Sequence, residues 1–159
     1  MPSVGDTAPA VSATIANGDV EAFDLDGVLG DGPVVLAFFP GAFTPPCSNE
    51  MIALNDHLEE FHDAGATVLG VSADSAFSLN AFREEHGLEF DLVSDMSRGA
   101  INNYGLEIDI EDLGLMGVSN RAVYVLDEDG SVTYAWETDD PTNEPDYGEL
   151  LAAVGAAPA

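Results

Sequence analysis

Apolar residues along this chain fall into short blocks that switch between two periods. Val34 to Phe39 is an unbroken apolar run of strand length, and Thr67 to Val71 is a second, so both read as buried core strands. Ahead of them, Val11 to Ile15 and Val20 to Phe23 flank Asn17-Gly18-Asp19, which predicts a hairpin. After Cys47 the period changes. Met51, Leu54, Leu58 and Phe61 recur at spacings of three and four, giving one helix from Ser48 to about Ala64 with Gly65 at its close. Another helix is expected from about Ser75 to His86, with Gly87 as its C-cap.

Further on, Leu92-Val93 reads as a short strand and Ser97 to Tyr104 as a short helix stopped by Gly105. Leu106 to Asn120 is punctuated by glycine and reads as an irregular loop crossing the molecule. Arg121 to Leu126 and Val132 to Trp136 form strands around the turn Asp127-Glu128-Asp129-Gly130, followed by an acidic loop and a closing helix from Tyr147 to Val154. This order predicts an α/β fold with a central mixed sheet, helices on both faces and an N-terminal β-hairpin. Pattern alone leaves a flavodoxin-like parallel sheet open.

At 159 residues, the chain is expected to form a single domain spanning 1–159. Met1 to Gly18 lacks a basic start and an apolar core, so no secretion signal is expected, and no apolar stretch reaches membrane-span length. The expected location is the cytoplasm. Thirty acidic residues face three arginines, and the net charge is -27. With 46% hydrophobic residues in clear periods, the charge points to a surface adapted to a very salty cytoplasm, as in an extreme halophile, rather than to disorder. It also excludes nucleic acid and anionic membrane as partners, since both need basic patches. A small neutral substrate meets no such barrier.

Cys47 is the only cysteine, set between the apolar strand and the helix that follows. A lone cysteine is ordinarily a small buried hydrophobe, but one at a helix start faces unpaired N–H groups that favour a reactive thiolate. Lowering a thiol from about 8.5 to about 6 takes some 3.4 kcal/mol, whereas the helix terminus gives at most about 2. A cation must provide the rest. Among Arg83, Arg98 and Arg121, the last is the candidate, because it opens an apolar strand that would hold it rigidly. Arg83 and Arg98 fall in helical segments and read as structural.

Pro40, Thr44 and Cys47 form a P-x-x-x-T-x-x-C pattern. Together with Phe39 to Thr44, Cys47-Ser48-Asn49-Glu50 and Arg121 to Asp127, it resembles the peroxiredoxins (the alkyl hydroperoxide reductase and thiol-specific antioxidant family), over Val4 to about Val154. The likeness is greatest to single-cysteine AhpE-like and bacterioferritin comigratory protein-like members. That resemblance implies a thioredoxin-like fold and a thiol peroxidase acting on hydrogen peroxide and small alkyl hydroperoxides. By it, Cys47 is the peroxidatic nucleophile, Thr44 hydrogen-bonds sulfur and peroxide, Pro40 shields the intermediate, Arg121 activates both and Glu50 orients the arginine. No cofactor or metal is implied, and a homodimer is left open.

Two departures stand out. Pro46 lacks the N–H that relatives offer to the peroxide from the position before the cysteine. Ile52 stands where some relatives carry a resolving cysteine, so the sulfenic acid must be recovered by an external thiol, either a low-molecular-weight thiol or a redoxin. A thiol–disulfide oxidoreductase is the weaker alternative, because Thr44 occupies the first position of the C-x-x-C such enzymes need. A redox-sensing or interaction protein is another. His57, His62 and His86 lack metal-ligand spacing to Cys47 and read as surface residues, while Phe43 is a candidate for an apolar collar around the thiol.

Overall fold

A computed structural model describes residues 2–156. Its centre is a seven-stranded mixed sheet. The N-terminal hairpin pairs β1 (Ser12–Ala16) with β2 (Val20–Asp24) as expected. β3 (Val34–Phe38), β4 (Thr67–Ser72) and β5 (Asp91–Ser94) run parallel at the centre, flanked by antiparallel partners β1 on one side and β8 (Ala122–Leu126) with β9 (Val132–Glu137) on the other.

Every residue of β3 and β8 is buried, which is why both read as continuous apolar runs. Alternation then divides the core. Val35, Ala37 and Phe39 pack with α1 (Pro45–Asp56), α2 (Leu58–Asp63), α3 (Ala76–His86) and α5 (Tyr147–Ala156). Val34, Leu36 and Phe38 pack on the opposite face with Ala100, Ile101 and Tyr104 of the α4 segment (Gly99–Asn103) and its C-cap. The expected α/β architecture with helices on both faces holds, four on one side and one on the other.

Two expectations need correction. The single helix from Ser48 to Ala64 is two helices, broken at His57, whose φ of -97° and ψ of 5° leave the helical region. The apolar period runs unbroken through the break because both helices bury the same face. The supposed loop from Leu106 to Asn120 holds a second sheet, β6 (Glu107–Ile110) against β7 (Leu115–Ser119). Arg98 clips it to the main body by donating to the carbonyls of Gly117 and Met116. It does so from the left-handed N-cap position of α4, outside the helix it was expected to join.

Candidate active site

β3 ends at Phe38, and the chain leaves the sheet through Phe39 and Pro40 into the turn before α1. β8 runs antiparallel to β3 with Ala122 opposite Phe38, so Arg121 emerges at the same end of the sheet. β9 finishes there too: Ala122 faces Glu137, and the Thr138 amide donates to the Arg121 carbonyl at 3.1 Å. Strand register alone brings together three segments that are distant in sequence.

Cys47 is the third residue of α1 and only 1% exposed. Pro45 and Pro46 suit the first helical positions through their fixed φ, but neither has an N–H, so the Cys47 amide is the first donor of the helix. Arg121 faces the sulfur: Nη2 donates to Cys47 Sγ at 3.3 Å and Nη1 to Glu50 Oε1 at 2.8 Å. Nε and Nη2 also donate to the Pro141 carbonyl at 3.0 and 2.7 Å. Cys47 and Glu50 are three residues apart on one helical face, which lets one guanidinium reach both.

The site is electrically tight. Arg121 and Glu50 are 1% and 0% exposed. Burial acts against the Arg121 charge, but Glu50 and Cys47 outweigh it and hold its pKa above the ordinary value. Burial pushes Glu50 up to about 7 against the pull of Arg121, with nearby Glu144 adding to the rise. Its Oε2 is buried without a hydrogen-bond partner. Tyr147 Oη donates to Glu144 Oε1 at 2.6 Å and lies close enough for Glu50 to help raise its own pKa, after burial and that hydrogen bond.

A cavity of about 140 Å³ opens onto the sulfur. Pro40, Thr44, Pro46, Cys47 and Arg121 line its base, Ile110, Leu113 and Leu115 one wall, and Asp140, Pro141 and Thr142 another. Pro40 is buried, whereas Thr44 is half-buried and its hydroxyl donates to the Gly41 carbonyl at 2.8 Å. The hydroxyl therefore does not bond the sulfur, contrary to the expectation. Phe43 is also corrected: it is 53% exposed, sits at a φ of 67° and packs edge-on against Phe82 rather than lining the cavity.

Sequence reading missed several contributors. The collar comes from the β6–β7 hairpin, whose alternating Ile108 and Ile110 carried a period-two signal that was masked by the intervening acidic residues. Asp74 Oδ2 accepts from the Ala42 amide at 2.8 Å and from Ser72 Oγ at 2.7 Å, pinning the Pro40–Thr44 turn. The Pro141 carbonyl had no signal, since a main-chain acceptor is independent of residue type. His57 pairs with Glu60 at 2.9 Å and His86 packs edge-on to Phe82, so neither reaches the cavity. Among the described residues, no group of three or more His, Cys, Asp or Glu is placed to hold a metal.

Residues 4–135 match the AhpC/TSA family profile. The chain is 35% identical over 134 residues to the chloroplastic peroxiredoxin Q of Oryza sativa subsp. japonica, an alignment covering 84% of this chain but only 58% of that protein. It is 32% identical over 157 residues to the thiol peroxidase of Mycobacterium bovis, covering 98% and 90% respectively. Among solved structures, peroxidoxin BcpB from Mycobacterium tuberculosis superposes with a TM-score of 0.86 at 26% identity, covering all of both chains.

Proposed function

Because the chain belongs to the AhpC/TSA family, we propose that it is a thiol-dependent peroxidase that reduces hydrogen peroxide and small alkyl hydroperoxides at Cys47. The observation that carries this reading is the Arg121 Nη2 held 3.3 Å from a buried sulfur at the base of a small cavity. A fixed cation there favours the thiolate and attracts the developing charge on the peroxide.

The thiolate attacks one peroxide oxygen. An S–O bond forms, the O–O bond breaks, and water or an alcohol leaves. Thr44 has committed its hydrogen to Gly41, so toward the cavity its oxygen can only accept, and it holds the proton of the oxygen under attack. Pro40 keeps bulk water from the sulfenic acid, while Glu50 and the Pro141 carbonyl aim the guanidinium. The volume, several water-sized molecules, admits hydrogen peroxide or a short alkyl tail between Ile110, Leu113 and Leu115. With a single cysteine in the chain, the sulfenic acid is returned to the thiol by a low-molecular-weight thiol or a redoxin. The acidic surface belongs to a salt-rich cytoplasm, and a homodimer is the working assembly to test.

Stopped-flow mixing of reduced protein with hydrogen peroxide in molar potassium chloride tests the proposal. Cys47 is expected to be consumed far faster than free cysteine, Cys47→Ser to be inactive and Arg121→Ala to be severely slowed. A wild-type rate no better than that of free cysteine removes the proposal.

A further inference from the structure

Two acidic groups and one base share the closed site. Cys47 Sγ and Glu50 Oε1 accept from the two Nη atoms of the same guanidinium, and both residues are almost wholly buried. Among the described residues, neither of the other two arginines serves them. The chain has three arginines and no lysine; Arg83 is engaged by the Phe90 carbonyl and Asp91, and Arg98 by the carbonyls of Met96, Met116 and Gly117. One buried cation neutralises one buried anion, and a second anion beside it stays uncompensated.

The groups facing Glu50 argue the same way. From its own helix comes Cys47, from the start of β8 Arg121, from the 139–146 loop Glu144 and from α5 Tyr147, so only one of the four carries positive charge. Its second oxygen, Oε2, is sealed from solvent and accepts from no donor, which suits a protonated carboxyl better than a carboxylate. The raised pKa of Glu50 agrees.

We infer that the reduced site holds a single negative charge on Cys47 with Glu50 protonated, and that oxidation of the sulfur shifts this charge to Glu50, whose released proton offsets the one the leaving oxygen takes up. The inference rests on the peroxidase reading and adds the fate of the proton. The balance closes. A sulfur lone pair forms the S–O bond, the O–O electron pair goes to the leaving oxygen, sulfur is oxidised by two electrons and the peroxide reduced by two. The oxygen under attack keeps its hydrogen and becomes the sulfenic hydroxyl, the leaving oxygen takes a proton from water to become water or alcohol, and Glu50 releases its own proton, so no net proton is drawn from solvent. Before the step Arg121 faces a thiolate and a carboxyl; after it, a neutral sulfenic acid and a carboxylate. Arg121 is neutralised throughout, so the charged site never has to rearrange around an unpaired ion.

Counting protons tests this. Reduced protein showing its ultraviolet thiolate band is mixed with one equivalent of hydrogen peroxide in weakly buffered, slightly acidic solution containing a pH indicator, and the reaction is followed until the band is lost. Wild type should take up no proton from solvent per thiolate oxidised, whereas Glu50→Gln, which keeps the acceptor for Arg121 but has no acid proton, should take up one. The oxidised-minus-reduced infrared spectrum of wild type should lose a protonated carboxyl band and gain carboxylate bands, and the variant should not. Uptake of one proton by wild type, an unchanged carboxyl band, or no thiolate band before peroxide overturns the inference. The wild-type measurements need no variant, so they decide the matter even if Glu50→Gln fails to fold. The count is also independent of speed: slow oxidation with no proton uptake would remove the peroxidase and leave the charge transfer standing, and fast oxidation with uptake would do the reverse.

Discussion

Arg121 is held by Glu50, Cys47 and a main-chain carbonyl at once, an arrangement that depends on the planar fork of a guanidinium. Lysine keeps the charge but offers a single ammonium that cannot span these partners. Arg121→Lys should therefore lose at least one charge-assisted hydrogen bond of about 1.5–3 kcal/mol, slowing the second-order reaction with peroxide by about tenfold to a hundredfold in stopped-flow. Glu50 also marks the pH dependence of folding. Its pKa rises from 4.5 to about 7 on folding, so the folded state binds this proton more tightly than the unfolded chain does. The stabilisation is full below about 4.5 and is lost as pH rises through about 7, a spread of roughly 3 kcal/mol from this group. Urea denaturation across that window should show this loss in wild type and a flatter profile in Glu50→Gln.

The connection into β3 is set by close backbone approach. At Gly32, φ is +112° and an added Cβ would lie 2.3 Å from the Gly65 carbonyl oxygen, at the turn between α2 and β4. Gly30 has a similar φ of +100° with open space around it. Gly30→Ala should cost only the left-handed strain, about 1–2 kcal/mol, whereas Gly32→Ala must also push two backbones apart. Thermal denaturation in molar salt should place Gly32→Ala well below Gly30→Ala, and equal losses would show that the contact is soft. Local signals served most elements well, among them the start of α3 near Ser75 and its left-handed Gly87 C-cap. They failed where a period is shared. The break at His57 preserves the buried face of α1 and α2, and the β6–β7 hairpin hides its alternation among carboxylates.

The net charge of -27 is carried by a molecule whose three cations are all bound to its own carbonyls and carboxylates, so self-repulsion over the surface has no local counterweight. The Debye length shrinks from about 30 Å at 0.01 M to about 3 Å at 1 M salt. The melting temperature should climb steeply between those potassium chloride concentrations, and a flat profile would refute adaptation to high salt. Initial reaction rates should follow the charge of the peroxide: anionic hydroperoxides gain more from added salt than hydrogen peroxide does, because only they are repelled by the acidic surface.

From residue order alone came the buried strands and the helices with clear caps, because period and punctuation are local properties, while the candidates Cys47, Thr44, Arg121, Pro40 and Glu50 came through the resemblance that their motif spacing carries. The three-dimensional arrangement decided the rest. Antiparallel register carries Arg121 to Cys47 across 74 positions, and β9 delivers the Pro141 carbonyl beside them. Thr44 turns its hydrogen to Gly41, and a hairpin hidden in an acidic stretch walls the cavity. Such contacts depend on direction and distance between segments far apart in the chain, and composition and period record neither.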